Sequence, residues 1–198
     1  MKNQIAINLI ILCLLSTASL SAQNQKSSFY KVSISVGTGL TTSAILGDAT
    51  NAMPPVNARI GYQFSPNFGL SGFAGYAVLD SKPYIESDGK SIYTQNKQLV
   101  TGLRAEMKRP VTKFFEVYGG GMLGFSSSKV TEYDLSNGNE FTRPVDGPTP
   151  FDPNAPAGSF LYSGFVGGQY FLKNNLGTFV EVGLGGASIL NFGLTARI

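Results

Sequence analysis

Seven charged residues fall at alternating positions within otherwise apolar or glycine-rich stretches: Lys31, Arg59, Arg104 and Arg197, with Glu106, Glu116 and Glu181. Carboxylates and cations in that pattern can do two things. They can form a gated path for ions, or they can neutralise one another as an ion-pair network inside a polar core. Acid–base or nucleophilic catalysis is a poor third. The chain has no histidine, so any serine or water would have to be activated by a carboxylate or a lysine. Metal binding loses its commonest ligands too, because the only cysteine is Cys13, near the start of the chain. The sequence therefore implies no catalytic residue, no metal ligand and no cofactor.

The elements that carry these charges are read by a period of two, since neighbouring residues of a strand face opposite sides. Eight segments show the pattern. In the first, Tyr30, Val32, Ile34 and Val36 share one face, and Lys31, Ser33, Ser35 and Gly37 the other. In the second, Val56, Ala58, Ile60, Tyr62 and Phe64 oppose Asn57, Arg59, Gly61 and Gln63. In the fourth, Leu99, Thr101, Leu103, Ala105 and Met107 oppose Gln98, Arg104 and Glu106. The fifth sets Phe115, Val117 and Leu123 against Glu116 and Tyr118. The seventh sets Thr178, Val180, Val182 and Leu184 against Glu181. The eighth sets Leu190, Phe192, Leu194, Ala196 and Ile198 against Asn191, Gly193, Thr195 and Arg197. The third and sixth are rich in glycine. They are assigned with Leu70, Tyr76 and Val78 outward, then Tyr162, Val166 and Tyr170 outward with Gln169 inward.

All seven charges lie on the polar face. Apolar faces turned outward and charges turned inward suit a sheet closed in a bilayer and are the reverse of a soluble lipocalin-type barrel. Helices compete poorly, because runs such as Gly119-Gly120-Gly121 cost about 1 kcal/mol per glycine in a helix interior. The fold class expected is all-β: an eight-stranded antiparallel up-and-down transmembrane β-barrel.

Export is written at the N-terminus. Lys2 precedes the apolar run Ile5 to Leu15, followed by small and polar residues up to Ala22. That is the layout of a signal peptide, expected to be cleaved near Ala22, and the run is too short to span a bilayer as a helix. Residues 1–22 are read as the leader and 23–198 as one barrel domain. Charged residues make up only 14% of the chain, and the net charge of +3 is too weak and dispersed for nucleic acid.

The connectors set the orientation. Ser65-Pro66-Asn67, Pro110-Val111-Thr112 and Lys173-Asn174-Asn175 are tight turns. The stretches from Leu40 to Pro55, Asp80 to Lys97 and Thr131 to Gly158 are long and polar, and a fourth connector near Gly185 to Ser188 is brief. Short turns belong at the periplasm and long loops outside. Tyr62 to Gly69 echoes Tyr170 to Gly177, as expected of two hairpins meeting one interface. Tryptophan is absent, so Tyr30, Tyr62, Phe64, Tyr76, Phe115, Tyr170 and Phe192 are assigned to the aromatic belt.

The leader, the hairpin signature and the terminal segment Asn191-Phe192-Gly193-Leu194-Thr195-Ala196-Arg197-Ile198 resemble the small outer-membrane β-barrel family, which includes the OmpA transmembrane domain and OmpX-type proteins. The resemblance spans about Phe29 to the end and implies the outer membrane of a Gram-negative bacterium. It implies lipid bilayer and lipopolysaccharide around the barrel, the outer-membrane assembly machinery as a partner, and a monomer. Enzymatic relatives of this type, such as the lipid A palmitoyltransferase and the omptin proteases, depend on a histidine base that this chain lacks.

Three expectations follow for the site. Glu106 and Glu116, flanking one turn, should lie at similar height and share a cation, Arg59 or Arg104. The run Asp134 to Glu140 is faintly like a calcium loop, but Asn137-Gly138 by itself explains it as a hairpin tip. The outer loops carry Tyr84, Ile85, Tyr93, Tyr133, Phe141 and Phe151, groups suited to an extracellular protein or glycan. The leading reading is a non-enzymatic structural or surface-interaction protein. The alternative is a narrow channel or small-solute porin gated by the interior ion pairs.

Overall fold

The computed structural model describes residues 31–41, 50–85, 89–141, 158–172, 175–183 and 187–198. The strands are β1 (Val32–Thr41), β2 (Thr50–Ser65), β3 (Phe68–Asp80), β4 (Tyr84–Ile85), β5 (Ser91–Pro110), β6 (Phe115–Asp134), β7 (Ser159–Phe171), β8 (Leu176–Gly183) and β9 (Leu190–Arg197). Each neighbouring pair is antiparallel. The sheet runs β3-β2-β1-β9-β8-β7-β6-β5, and a β3–β5 ladder closes it into an eight-stranded barrel. The two-residue β4 pairs only with the start of β5. The leader and Tyr30 lie outside the described residues.

Alternation settles the facing of each strand. Arg59, Arg104, Glu106, Gln169, Glu181 and Thr195 are buried, while Ile60, Leu103, Val166, Val180 and Leu194 are exposed on the outside. The glycine-rich third and sixth segments follow the expected faces: Leu70, Tyr162, Val166 and Tyr170 are exposed and Gln169 is buried. Val78 keeps the outward register, opposite Lys97, yet is only 9% exposed.

Two turns at one end are pinned by hydroxyls. Ser65 Oγ accepts from the Phe68 amide at 3.1 Å, and Thr112 Oγ1 accepts from the Phe115 amide at 3.0 Å. These local bonds let the chain reverse within a few residues.

The strands reach further at the other end than polarity suggested. β2 begins at Thr50, β5 at Ser91, and β6 ends at Asp134, so much of what reads as loop is sheet. Above the bilayer a strand needs no apolar outer face, and the period of two then lies in polar residues. Ile92, Thr94, Asn96 and Gln98 are all buried on one side of β5. The wall is therefore lopsided. β5 and β6 have 20 residues each and β8 and β9 have eight, roughly 65 Å against 27 Å of strand. Asp134 to Asn139 form the tip expected of Asn137-Gly138, with Gly138 at φ +69°. Asp134 Oδ1 accepts from the Ser136 amide at 2.8 Å and its hydroxyl at 2.6 Å. These bonds hold the Asp134 carboxyl below its usual pKa.

Glycines let neighbouring strands and side chains crowd together. A Cβ on Gly120 would lie 1.9 Å from the Ala105 carbonyl oxygen, and one on Gly193 2.1 Å from that of Val36. Nothing lies within 4 Å of the corresponding point on Gly72. Gly193→Val should therefore abolish the compact, heat-modifiable species on unboiled SDS gels, and Gly72→Ala should leave it intact. A normally folded Gly193→Val would contradict this packing.

Candidate functional site

The lumen is filled in layers. Its centre is the Glu181 carboxylate, carried inward by β8. Oε2 accepts from Arg104 Nη2 at 2.6 Å, Arg59 Nη1 at 2.8 Å and the Tyr118 hydroxyl at 3.0 Å. Oε1 accepts from Arg104 Nη1 at 3.0 Å. Arg104 thus grips the carboxylate with two nitrogens, the strongest geometry for such a pair. Arg59 Nη2 also donates to the Tyr118 oxygen at 3.3 Å. The guanidinium of Arg104 lies 3.7 Å from the centre of the Phe165 ring and that of Arg59 4.4 Å from Phe179, each cation resting on an aromatic face. These charges come from β2, β5 and β8, and the hydroxyl from β6. The cluster ties four strands across the lumen.

Toward the short turns, Glu106 accepts from Ser71 Oγ at 2.7 Å. It lies 3.5 Å from Lys108 Nζ and 3.7 Å from Arg104 Nε. Glu116 pairs instead with Arg197, whose guanidinium sits over the Phe171 ring. Among the described residues neither Arg59 nor Arg104 is shared between Glu106 and Glu116. In the register Glu116 faces Pro110 and Glu106 faces Gly120, so the two carboxylates are four positions apart and at different heights. Arg59 and Arg104 both converge on Glu181, Arg104 reaching Glu106 as well, while Glu116 pairs with Arg197.

Lys31, assigned to the network by alternation, is exposed at the start of β1. Among the described residues it makes no ion pair. At the mouth of a barrel, water solvates a lysine and removes the need for a partner. Lys108, which alternation from Arg104 and Glu106 points to, was the missing cation.

The other side of the Glu181 cluster is apolar. Ala77, Val100 and Ala187 are buried together, with Phe73 and Leu161 packed against them. Ala187 lies just before β9, and its side chain is buried in the lumen. Ser188 beside it is 2% exposed, and the Ser188 carbonyl accepts from Asn191 Nδ2 at 3.1 Å. A Cβ on Gly75 would press on Ala187 at 2.8 Å, and one on Gly39 would strike Ser188 Oγ at 2.0 Å. The missing side chains are what admit Ala187 and Ser188. Nothing in the sequence pattern pointed to this, because both glycines read equally well as plain strand positions.

The outward aromatics fall at two heights. Tyr62, Phe64 and Tyr170 are exposed near the short turns, with Phe115 half-buried beside them; Phe192 and half-buried Tyr76 are at the opposite end of their strands. Phe125, Phe160 and Tyr162 extend that second band; Tyr162 was read as outward, and none of the three was assigned to the belt by sequence. Chemically, the interior holds charge in place. The lone pairs of Glu181 are taken up by four donors, which leaves it a poor base.

Comparison with known proteins agrees on the fold. The family described as outer membrane protein beta-barrel domain matches residues 10–185. The structure adds β9 beyond that match, hydrogen-bonded to β1 and β8. The outer membrane protein OprG of Pseudomonas aeruginosa is similar in fold: TM-score 0.54 and 12% identity, covering 89% of this chain and 99% of that one. Ail, the attachment invasion locus protein of Yersinia pestis, solved with the heparin analogue sucrose octasulfate, gives TM-score 0.48 and 13% identity over 86% of this chain and 99% of its own. No curated protein matches the sequence.

Removing Glu181 would strand two buried cations. Glu181→Ala should lower unfolding stability by about 3–5 kcal/mol, with Arg104→Ala close behind and Lys31→Ala unchanged. Urea titration of the folded protein in lipid vesicles measures all three. Equal stability of Glu181→Ala and Lys31→Ala would remove Glu181 from the centre of the network.

Proposed function

We propose that this chain, which belongs to the outer membrane protein β-barrel family and resides in the bacterial outer membrane, is a non-enzymatic, closed scaffold that holds a contact surface above the bilayer. The observation that supports this reading is the presence of two layers of buried side chains across the lumen. The charged layer around Glu181 and the apolar layer around Ala187 lie in series, so a hydrated ion would meet both. An eight-stranded barrel has little interior beyond what its side chains fill.

The contact surface is the tall part of the wall. Tyr93 and Tyr133 stack across β5 and β6 with ring centres 5.4 Å apart. Tyr84 donates to Glu132 at 2.6 Å, while Ile85 and Leu135 stand exposed at 75% and 54%. Phe141 lies under Lys90. Phe151 is outside the described residues. Fixed aromatics on a rigid sheet lose little entropy on binding, which suits an extracellular protein or glycan partner. Two features support the absence of catalysis: no histidine, and a central carboxylate whose lone pairs are engaged.

Planar-bilayer recording of the refolded protein tests the reading. The wild type should be silent, and Arg104→Ala combined with Phe73→Ala should give openings, because one substitution loosens each layer. Steady, ion-selective openings from the wild type would instead make the protein a narrow channel with the interior charges as its filter.

A further inference from the structure

The inward face of β5 and β6 changes character above Arg104. At Arg104 and below it, the inward cations of the barrel are gathered on Glu106, Glu116 and Glu181. Above it, alternation turns Gln98, Asn96 and Thr94 of β5 inward, opposite Ser128, Val130 and Glu132 of β6. Asp134 follows at the rim. Among the described residues, no inward strand position above Arg104 is a lysine or an arginine. The upper face is therefore acidic and rich in hydrogen-bond acceptors.

Two neighbouring acceptors on that face have no donor. Gln98 is 5% exposed, and its Nε2 donates to Ser126 Oγ at 2.9 Å. That bond fixes the amide and leaves the buried Oε1 without a hydrogen-bond partner among the described residues. Ser128 stands directly opposite Gln98, and its buried Oγ is likewise without a partner among them. Residues directly opposite on a sheet have Cβ atoms about 5 Å apart, so one small guest can reach both oxygens. Leaving a buried acceptor unsatisfied is costly, and here two lie side by side. Thr94 Oγ1 is a third such atom, two inward positions higher.

The place of this pair in the barrel suits a guest that enters from outside. The β6–β7 ladder ends at Ser126–Ser159, so Ser128 is the first inward residue of β6 above it. Ser128 and Val130 keep partial exposure. Val100 is the next inward residue below Gln98, and Ala77 faces Gln98 across β3, so the apolar layer begins at once beneath the two oxygens. Toward the rim come Thr94 and then the carboxylates of Glu132 and Asp134, at intervals of roughly 7 Å along the strands.

We propose that Gln98 Oε1 and Ser128 Oγ hold one monovalent metal cation, sodium or potassium, with water completing its shell. An amide carbonyl and a hydroxyl are hard, neutral oxygens, the kind that replaces the hydration of an alkali ion. Calcium and magnesium are held chiefly through carboxylates, and neither oxygen of the pair belongs to one. Water could satisfy the two acceptors, but the acids above them give the face a potential that favours positive charge. The inference goes beyond the scaffold reading and does not depend on it: the site lies above the apolar layer whether or not that layer conducts.

Urea unfolding of the full folded protein in detergent tests it, with sodium, potassium or calcium chloride exchanged for choline chloride at constant ionic strength. An ion bound only by the folded state raises the folded-to-unfolded ratio about tenfold for each tenfold rise in its concentration above Kd. The wild type should show that response to sodium or potassium. Gln98→Leu with Ser128→Ala should abolish it, and Ser128→Ala alone, a milder change to the fold, should weaken it. Gln98→Glu keeps the oxygen and adds charge, so its response should begin at an ion concentration about tenfold lower. Ser127→Ala, on the outward side, should match the wild type. A wild type as stable in choline as in sodium and potassium would overturn the proposal, leaving bound water on the two oxygens. An undiminished response in the double variant would overturn it as well. A response to calcium alone would do the same, by moving the site to the carboxylates of Glu132 and Asp134.

Discussion

Within a bilayer core there is no water to satisfy a backbone N–H or C=O, and that absence governs this protein. A sheet in that setting must close on itself. The β3–β5 ladder supplies the closure, leaving β4 as a short addition above the ring. Once eight strands close, the lumen is narrow and its inward side chains are removed from bulk solvent. Charges on those side chains can persist only if they are paired and hydrogen-bonded. The Glu181 cluster is a consequence of closure as much as a support for it.

The interior divides into two kinds of material for the same reason. Below, guanidinium groups spread over aromatic faces and share carboxylates. Above, Ala187 and Ser188 pack against Gly75 and Gly39, and small apolar residues replace charge. Both layers fill the same narrow cross-section. The short β8 and β9 wall leaves Ala187 at the level of Ala77 and Val100, while the opposing β5 and β6 continue upward. The lopsided wall therefore shapes the lid of the lumen and the external ridge at once.

The outside obeys a different rule, because its solvent changes along the barrel axis. Apolar residues occupy the bilayer level, aromatics mark two heights, and charge returns at Arg109 and Lys97. Beyond Lys97 the period of two continues in polar residues. The sheet persists there on interstrand hydrogen bonds and its buried row of Ile92, Thr94, Asn96 and Gln98.

What the sequence determined by itself was whatever depends on period and composition. Alternation assigned the faces of Arg59, Arg104, Glu106, Glu116 and Glu181, and turn residues placed the short hairpins at one end. Such signals are local, since each needs only a few neighbouring residues. The choice of partners was decided by tertiary structure. Glu106 and Glu116 flank one turn in the chain, yet the register sets them four positions apart, and Glu181, distant in sequence, collects both arginines. The burial of Ala187 against Ala77 and Val100 is likewise a product of strand register around a closed ring. Alternation says which side a residue faces; only closure and register say what it faces.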